Sequence, residues 1–268
     1  MRKKTSSIII AILLLTGLAL ILFATIEYLG NNKDKALVYK EDFFYAALKN
    51  EKPFLGEVSS FIGNQLAQIV TPGKEKIFVK VPFKRQEHPV TCEVAALRMA
   101  LNYLGVNVTE EELIEELAFD TREPKSYRNI WGDPDNGFVG NINGSVFLGT
   151  GYGVYEKPIF DLALQYRDAA IIEQATLSKV LSEVKQGNPV IVWGLLTNKN
   201  LMTWRTRKGK EVEAYPGEHV RIVMGYTGSI SNPNSIILMD TLYGKISMSK
   251  TQFLSDWEKL DNRAVVVY

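Results

Sequence analysis

A long uncharged apolar run near the N-terminus divides this chain into two parts. Residues 5–26 contain no charged side chain, and residues 8–26 are almost wholly apolar. A helix rises about 1.5 Å per residue, so about 20 apolar residues match the hydrocarbon thickness of a bilayer. Arg2, Lys3 and Lys4 precede the run, and basic clusters of this kind stay on the cytoplasmic side. The sequence therefore predicts one transmembrane anchor with the rest of the chain outside the cytoplasm.

This anchor sets the predicted organisation of the whole chain. We expect a basic cytoplasmic tip at residues 1–4, a single-pass anchor at 5–28, a stalk with short helices at 29–80 and one folded domain at 81–268. The alternative for the apolar run is a cleaved signal peptide, which would release the same domain as a secreted protein. Both alternatives place the folded domain outside the cell membrane.

Composition excludes several classes of function. The 31 basic and 30 acidic residues nearly cancel, and no basic block follows the N-terminus, so we expect no nucleic-acid partner. The chain has one cysteine, Cys92, which rules out an intrachain disulfide and a zinc site with several thiolates. It has two histidines without a neighbouring ligand pattern, so we expect no metal ion and no cofactor. Any special role for Cys92 is that of a thiol.

The order of the predicted elements indicates an α+β fold. Apolar spacing from Glu93 onward predicts a helix that has Cys92 on its first turn and stops at Gly105. The T-x-x-E pattern of Thr109 and Glu112 predicts a capping box that opens a second helix. Helices come first and an antiparallel sheet follows. Further helices are predicted at residues 158–167, 177–187 and 249–257, and strands or hairpins at 76–81, 190–193, 202–214, 220–226, 235–240, 245–248 and 264–268.

Residues 120–153 are rich in Gly, Asn, Asp and aromatic side chains, and they are too many for an ordinary connector. One interpretation is an ordered wall of a substrate cleft. The other is that the aromatic side chains pack the loop against the core. The candidate cleft residues, together with one from the strand at 190–193, are Trp131, Phe138, Tyr152, Tyr155 and Trp193.

Cys92 is the candidate nucleophile. A neutral thiol reacts poorly, and a helix N-terminus and a protonated imidazole both lower the pKa of a thiol. His219 precedes a rigid apolar strand and is the candidate base, whereas His88 lies in a proline-flanked loop and is rejected. Asp240 ends the next antiparallel strand, so it can reach His219 and fix its tautomer. Gln86, just ahead of Cys92, is the candidate donor to an oxyanion.

The ordered set of Gln86, Cys92, His219 and Asp240 followed by Tyr243-Gly244 resembles the papain-like cysteine peptidases. It looks most like the bacterial group related to the bacteriocin-leader-processing peptidases, family thirty-nine of the cysteine peptidases. The resemblance implies a papain-like fold, with N-terminal helices packed on a C-terminal antiparallel sheet. It also implies a Cys92–His219–Asp240 triad with Gln86 as oxyanion donor.

The resemblance predicts hydrolysis of a peptide or protein outside the membrane. Many relatives have glycine directly after the nucleophile, whereas this chain has Glu93, whose negative charge opposes thiolate formation. Two alternatives remain. The same residues suit a transpeptidase or a cell-wall amidase, and a non-catalytic module of the same fold would bind a peptide or a glycan.

Overall fold

A computed structural model describes residues 75–196 and 200–268. The predicted anchor at 5–28 lies outside these residues, as does nearly all of the predicted stalk. Within the described ranges, no helix has the length and apolar character needed to cross a membrane.

The helices follow the capping signals in the sequence. Thr109 accepts a hydrogen bond from Glu112 N–H and Glu112 completes the predicted capping box. Gly187 ends its helix in the left-handed conformation, at φ 96°, which glycine adopts without steric cost. Five α-helices lie in the described ranges: α1 (Cys92–Tyr103), α2 (Glu110–Glu116), α3 (Glu156–Ala163), α4 (Leu177–Gln186) and α5 (Lys250–Trp257), the last followed by a 3-10 turn (Glu258–Leu260).

One antiparallel sheet forms the larger part of the fold. The strands of the described ranges are β1 (Glu75–Ile77), β2 (Phe119–Thr121), β3 (Phe138–Gly140), β4 (Gly151–Gly153), β5 (Ala169–Ile171), β6 (Val190–Leu195), β7 (Met202–Arg205), β8 (Glu211–Ala214), β9 (Glu218–Gly228), β10 (Pro233–Asp240), β11 (Gly244–Ser249) and β12 (Ala264–Val267). The strand order of the large sheet is β11-β10-β9-β6-β12-β5, with β1 also paired to β9, while β2-β3-β4 and β7-β8 form two smaller sheets.

The α+β prediction is confirmed, with differences in detail. Strands β2, β3, β4 and β5 were not predicted, because runs of three residues are too short to show alternation. Strand β1 lies inside the predicted stalk at 29–80, yet it pairs with β9, so the sheet begins before residue 81. A side-chain carbon at Gly225 would lie 2.0 Å from the Lys76 carbonyl oxygen, and glycine is therefore what permits this pairing.

Strand β9 organises the candidate site. It is buried along nearly its whole length and lies between β6 and β10. Helix α1 packs against β9 and β6. The first residue of α1 and the first residues of β9 therefore meet at one end of the sheet.

Candidate active site

Cys92 is the first residue of α1 and is 5% exposed. Thr91 holds the N-cap position but does not cap the helix with its side chain, because its hydroxyl donates to the Glu110 carboxylate at 2.5 Å. The N–H groups of the first turn of α1 are thus not satisfied by Thr91. A helix N-terminus of this kind favours negative charge beside it.

The loop ahead of Cys92 is held by a buried ion pair. Arg98 of α1 lies 3.1 Å from Glu110 of α2, and both side chains are almost completely buried. Arg98 also donates to the Arg85 carbonyl oxygen at 2.7 Å, and Glu110 accepts from the Glu87 N–H. Buried charges are tolerated when paired and hydrogen-bonded in this way. The pair fixes the loop and the start of α1 together.

His219 and Asp240 lie beside each other, as the strand order predicted. The Nε2 atom of His219 is 3.1 Å from Asp240 Oδ1, and both side chains are buried. Asp240 also accepts from Arg221 Nε at 2.7 Å and from the Leu242 N–H at 2.8 Å. Burial opposes ionisation of Asp240, but His219, Arg221 and these hydrogen bonds outweigh it and hold the pKa of Asp240 well below its usual range. Asp240 is an anion that orients the imidazole.

Gln86 does not have the contacts expected of an oxyanion donor. Its amide nitrogen donates to the carbonyl oxygens of His88 at 2.9 Å and Pro89 at 3.2 Å. Its amide oxygen accepts from the Thr241 hydroxyl at 2.8 Å, and that hydroxyl lies 3.5 Å from His219 Nε2. The short loop folds back on the amide and uses both of its hydrogens. In this structure Gln86 links the loop to the residue that follows Asp240.

The sulfur of Cys92 faces Glu93. The thiol donates to Glu93 Oε2 at 3.4 Å, and the Val220 backbone donates to the sulfur. Because Val220 follows His219, this second contact places the sulfur beside the start of β9. Burial, followed by the charges of Glu93 and Glu218, raises the pKa of Cys92 well above its usual value. The lowered pKa expected from the helix N-terminus is therefore not what the structure shows.

Glu218 is the residue that sequence reasoning missed. Cys92 Sγ and one carboxylate oxygen each of Glu93 and Glu218 lie within 4.8 Å of one another. Burial raises the pKa of Glu93 to about 7, and burial together with the charge of Glu93 raises that of Glu218 well above its usual range. The signals available in the sequence were the acidic neighbours of the two candidate catalytic residues, Cys92-Glu93 and Glu218-His219.

The aromatic residues assigned to a substrate cleft are interior residues. All five are no more than 4% exposed, because they pack into the core cluster and satisfy their polar atoms there. Tyr152 and Tyr155 share a hydrogen bond between their hydroxyls at 2.9 Å, and Trp193 donates to the Val154 carbonyl oxygen. The structure thus favours the alternative, in which aromatic side chains pack the loop against the core; the five are Trp131, Phe138, Tyr152, Tyr155 and Trp193.

His88, the rejected histidine, lies apart from this cluster. Its ring nitrogens are 2.8 Å from Asn143 Oδ1 and 3.3 Å from Glu111 Oε2. It therefore joins the loop ahead of α1 to neighbouring surface segments. This arrangement makes His88 a suitable control residue.

Glu93→Gln is expected to raise the rate at which iodoacetamide alkylates Cys92 by about tenfold at fixed pH, since one pKa unit changes the thiolate fraction by that factor. The substitution removes the charge that adjoins the sulfur and keeps the side-chain shape. Glu111→Gln, which changes a surface glutamate, serves as control. Mass spectrometry of the alkylated chain, in the presence of a chelator, measures the rate. Equal rates for wild type and Glu93→Gln would show that Glu93 does not hold the thiol protonated.

Comparison with known proteins identifies relatives of this chain. The model of the Peptidase_C39 like family matches residues 78–265. Uncharacterized protein YvpB of Bacillus subtilis (strain 168) is 32% identical over 186 residues, which are 66% of this chain and 68% of that protein. The crystal structure of a putative C39-like peptidase from Bacillus anthracis matches with a TM-score of 0.62 and 28% identity, over 73% of this chain and 98% of that chain.

A more distant match is a double glycine motif protease from an AMS/PCAT transporter, solved in complex with the leader peptide. It has a TM-score of 0.37 and 15% identity, over 70% of this chain and 91% of that chain. This likeness is too low to support an argument about the chain.

Proposed function

Because this chain belongs to the C39-like peptidase family, we propose that it is a cysteine peptidase that uses Cys92 as nucleophile, His219 as base and Asp240 as the residue that orients the base. Membership confirms the resemblance drawn from the sequence. The proposal also gives the domain an extracytoplasmic place and a peptide or protein substrate there, supported by the apolar run at residues 8–26.

The observation that carries the proposal is the buried contact between His219 Nε2 and Asp240 Oδ1 at 3.1 Å. An anionic carboxylate at Nε2 favours the tautomer with the proton on Nε2, which leaves Nδ1 as the basic nitrogen. The Val220 hydrogen bond to sulfur sets the nucleophile beside the same strand end. A structural histidine would need no carboxylate held ionised by three further donors.

The proposed chemistry is acyl transfer. His219 takes the thiol proton, and the Cys92 thiolate attacks the peptide carbonyl carbon to form a carbon–sulfur bond. The imidazolium returns the proton to the leaving amine as the carbon–nitrogen bond breaks, and water then hydrolyses the thioester. The backbone N–H of Cys92, at the start of α1, is the proposed oxyanion donor. Gln86 is assigned to positioning the loop, because its amide hydrogens are already used.

Reaction with Cys92 requires the thiol to exchange its contact with Glu93 for one with His219. The contact with Glu93 and the raised pKa describe a protonated resting thiol. A substrate that excludes water and places its carbonyl at the start of α1 favours the ion pair of thiolate and imidazolium. The resting enzyme is therefore expected to be a weak nucleophile until substrate is bound.

The test is the alkylation rate of Cys92 in the purified full chain, held in detergent with a chelator present. The resting thiol is protonated, so alkylation depends on the small fraction of thiolate that forms by proton transfer to His219. Loss of this base in His219→Ala is expected to slow alkylation by iodoacetamide by at least about tenfold, the effect of one pKa unit or more on the thiol. If His219 had only a structural role, His219→Ala would speed alkylation, because removing the ring opens access to a sulfur that is only 5% exposed. His88→Ala is the matched control and is expected to leave the rate unchanged.

Alkylation of His219→Ala as fast as wild type, or faster, would contradict the proposed nucleophile and base. A second readout tests hydrolysis directly. Wild type incubated with a library of unstructured peptides in ¹⁸O-labelled water is expected to produce new carboxyl termini that carry the label. Neither Cys92→Ala nor His219→Ala is expected to do so, and label in the Cys92→Ala sample would contradict the proposal.

A further inference from the structure

Two carboxyl side chains and the Cys92 thiol lie together at the meeting point of α1 and β9, with Glu218 half-buried. The Cys92 sulfur and one oxygen each of Glu93 and Glu218 all lie within 4.8 Å of one another. Glu93 is fully buried and Cys92 nearly so. Burying acidic groups together is costly unless a proton or a cation compensates them.

The cluster also contains an unsatisfied polar atom. Oε1 of Glu218 is buried and has no hydrogen-bond partner among the described residues. The arginines whose charge reaches Glu218 are bonded elsewhere, since Arg221 pairs with Asp240 and Arg263 pairs with Asp135 and Glu156. Glu218 thus presents a carboxylate to the sulfur and to Glu93 without a counter-charge of its own.

A backbone hydrogen bond holds the Glu93 carboxylate in place. Glu93 Oε1 accepts from the Val154 N–H at 2.6 Å, which leaves Oε2 directed at the sulfur, 3.4 Å away. A side-chain carbon at Gly153, where φ is 133°, would lie 2.2 Å from Glu93 Oε1 and 3.6 Å from Glu218 Oε2. The absence of a side chain at Gly153 thus keeps the space beside both carboxylates clear. Outer contacts of this kind orient metal ligands.

The distances suit a small tetrahedral ion. Zinc binds thiolate sulfur at about 2.3 Å and carboxylate oxygen at about 2.0–2.2 Å, so ligand atoms around one ion lie roughly 3.5 Å apart. The sulfur and Glu93 Oε2 already have nearly this separation, at 3.4 Å, and a Glu218 oxygen lies within 4.8 Å of both. A thiolate is a soft ligand, which favours zinc or cobalt over magnesium or calcium.

We infer that Cys92, Glu93 and Glu218 form a binding site for one divalent transition-metal ion, with Zn²⁺ as the ion that the ligand set fits best. Binding converts the Cys92 thiol to a metal-bound thiolate and releases its proton, with any carboxyl proton, to solvent. The bound sulfur is no longer available as a nucleophile. The site therefore gives the chain a reversible metal-blocked state, whatever substrate the peptidase cleaves.

Cobalt supplies the direct test, because Cys92 is the one cysteine in the chain. A thiolate-to-cobalt charge-transfer band can then arise from no other residue. Titration of the full chain with Co²⁺, in detergent and a non-thiol reductant, is expected to give a saturable band at one equivalent. One equivalent of Zn²⁺ is expected to abolish it, and Cys92→Ser is expected to show no band. Absence of the band at millimolar Co²⁺ would overturn the inference.

Glu218→Gln distinguishes a metal site formed by all three residues from metal binding to the Cys92 thiol alone. The substitution keeps shape and removes one ligand charge, so Zn²⁺ affinity by cobalt competition is expected to fall at least about tenfold. Glu213→Gln, at an exposed position of β8, is the matched control and is expected to bind as wild type does. If Glu218→Gln fails to fold, Glu93→Gln makes the same comparison. If Glu218→Gln, or Glu93→Gln in its place, binds Zn²⁺ as tightly as wild type does, the metal binds adventitiously to the thiol only, and the inferred site is wrong.

Protection of the thiol gives a second readout. Zn²⁺ is expected to suppress alkylation of Cys92 by iodoacetamide in wild type, with recovery on addition of a chelator, and to suppress it less in Glu218→Gln. The cobalt band reports on sulfur, not turnover, so this inference can fail while peptide hydrolysis stands. Conversely, the His219→Ala comparison can contradict the peptidase mechanism while metal binding stands.

Discussion

Asp240→Asn is expected to lower the free energy of unfolding by about 3–5 kcal/mol, the cost of breaking a buried ion pair from one side. Asp240 is fully buried and accepts from His219, Arg221 and the Leu242 N–H. An amide at this position leaves the guanidinium of Arg221 without its carboxylate. Urea denaturation measures the loss, and Asp261→Asn, at an exposed position, is the control that should retain wild-type stability.

The loss of stability in Asp240→Asn is expected to depend on pH. Because the pKa of Asp240 is lowered in the folded state, its stabilisation is present above the usual carboxyl range and is lost as pH falls towards the folded value. The difference in stability between wild type and Asp240→Asn is therefore expected to be largest near neutral pH and to shrink in acid. A difference that stays constant down to strongly acidic pH would contradict an ionised Asp240.

Trp193→Ala is expected to destabilise the domain by about 3–5 kcal/mol, because it leaves a cavity in the middle of the main sheet. Trp193 is fully buried in β6 and its indole N–H donates to the Val154 carbonyl oxygen at 3.0 Å. Trp193→Phe is expected to lose less, since it keeps most of the packing. Tyr127→Ala, at a side chain that is 90% exposed, is the control and should stay within about 0.5 kcal/mol of wild type.

The Trp193 result also decides between the two interpretations of the aromatic residues. A cleft residue would change peptide hydrolysis while leaving the urea midpoint near wild type. A core residue lowers the midpoint, and the substitution to phenylalanine recovers most of the loss. Loss of peptide hydrolysis without loss of stability would support the interpretation of Trp193 as a cleft residue.

Local signals in the sequence identified the helices, although the helix predicted at 158–167 lies at Glu156–Ala163. The capping box at Thr109 and the glycine stops at Gly105 and Gly187 all have the predicted conformation, because such signals depend on neighbours three or four residues away. The hairpin turning between Met202 and Ala214 was predicted for the same reason. Strand β5 was missed, since its three residues are defined by pairing with β12 and not by their own pattern.

Candidate catalytic residues were identified from order along the chain, but their contacts were not. Antiparallel order alone brought His219 and Asp240 together. Gln86 was assigned to the oxyanion because no sequence rule indicates that its amide is used by His88 and Pro89. The five aromatic residues were open to two interpretations, since periodicity does not separate a packed loop from a cleft wall.

By itself, the sequence determined the α+β class, the family, the nucleophile candidate and its histidine, because residue type, capping and element order are properties read along the chain. Only the tertiary structure decided the environment of Cys92. The sulfur faces Glu93 and lies near Glu218, a residue far later in the chain. Burial and electrostatic fields depend on distances in space, so the raised pKa of the thiol and the candidate metal site appear only once α1 packs against β9.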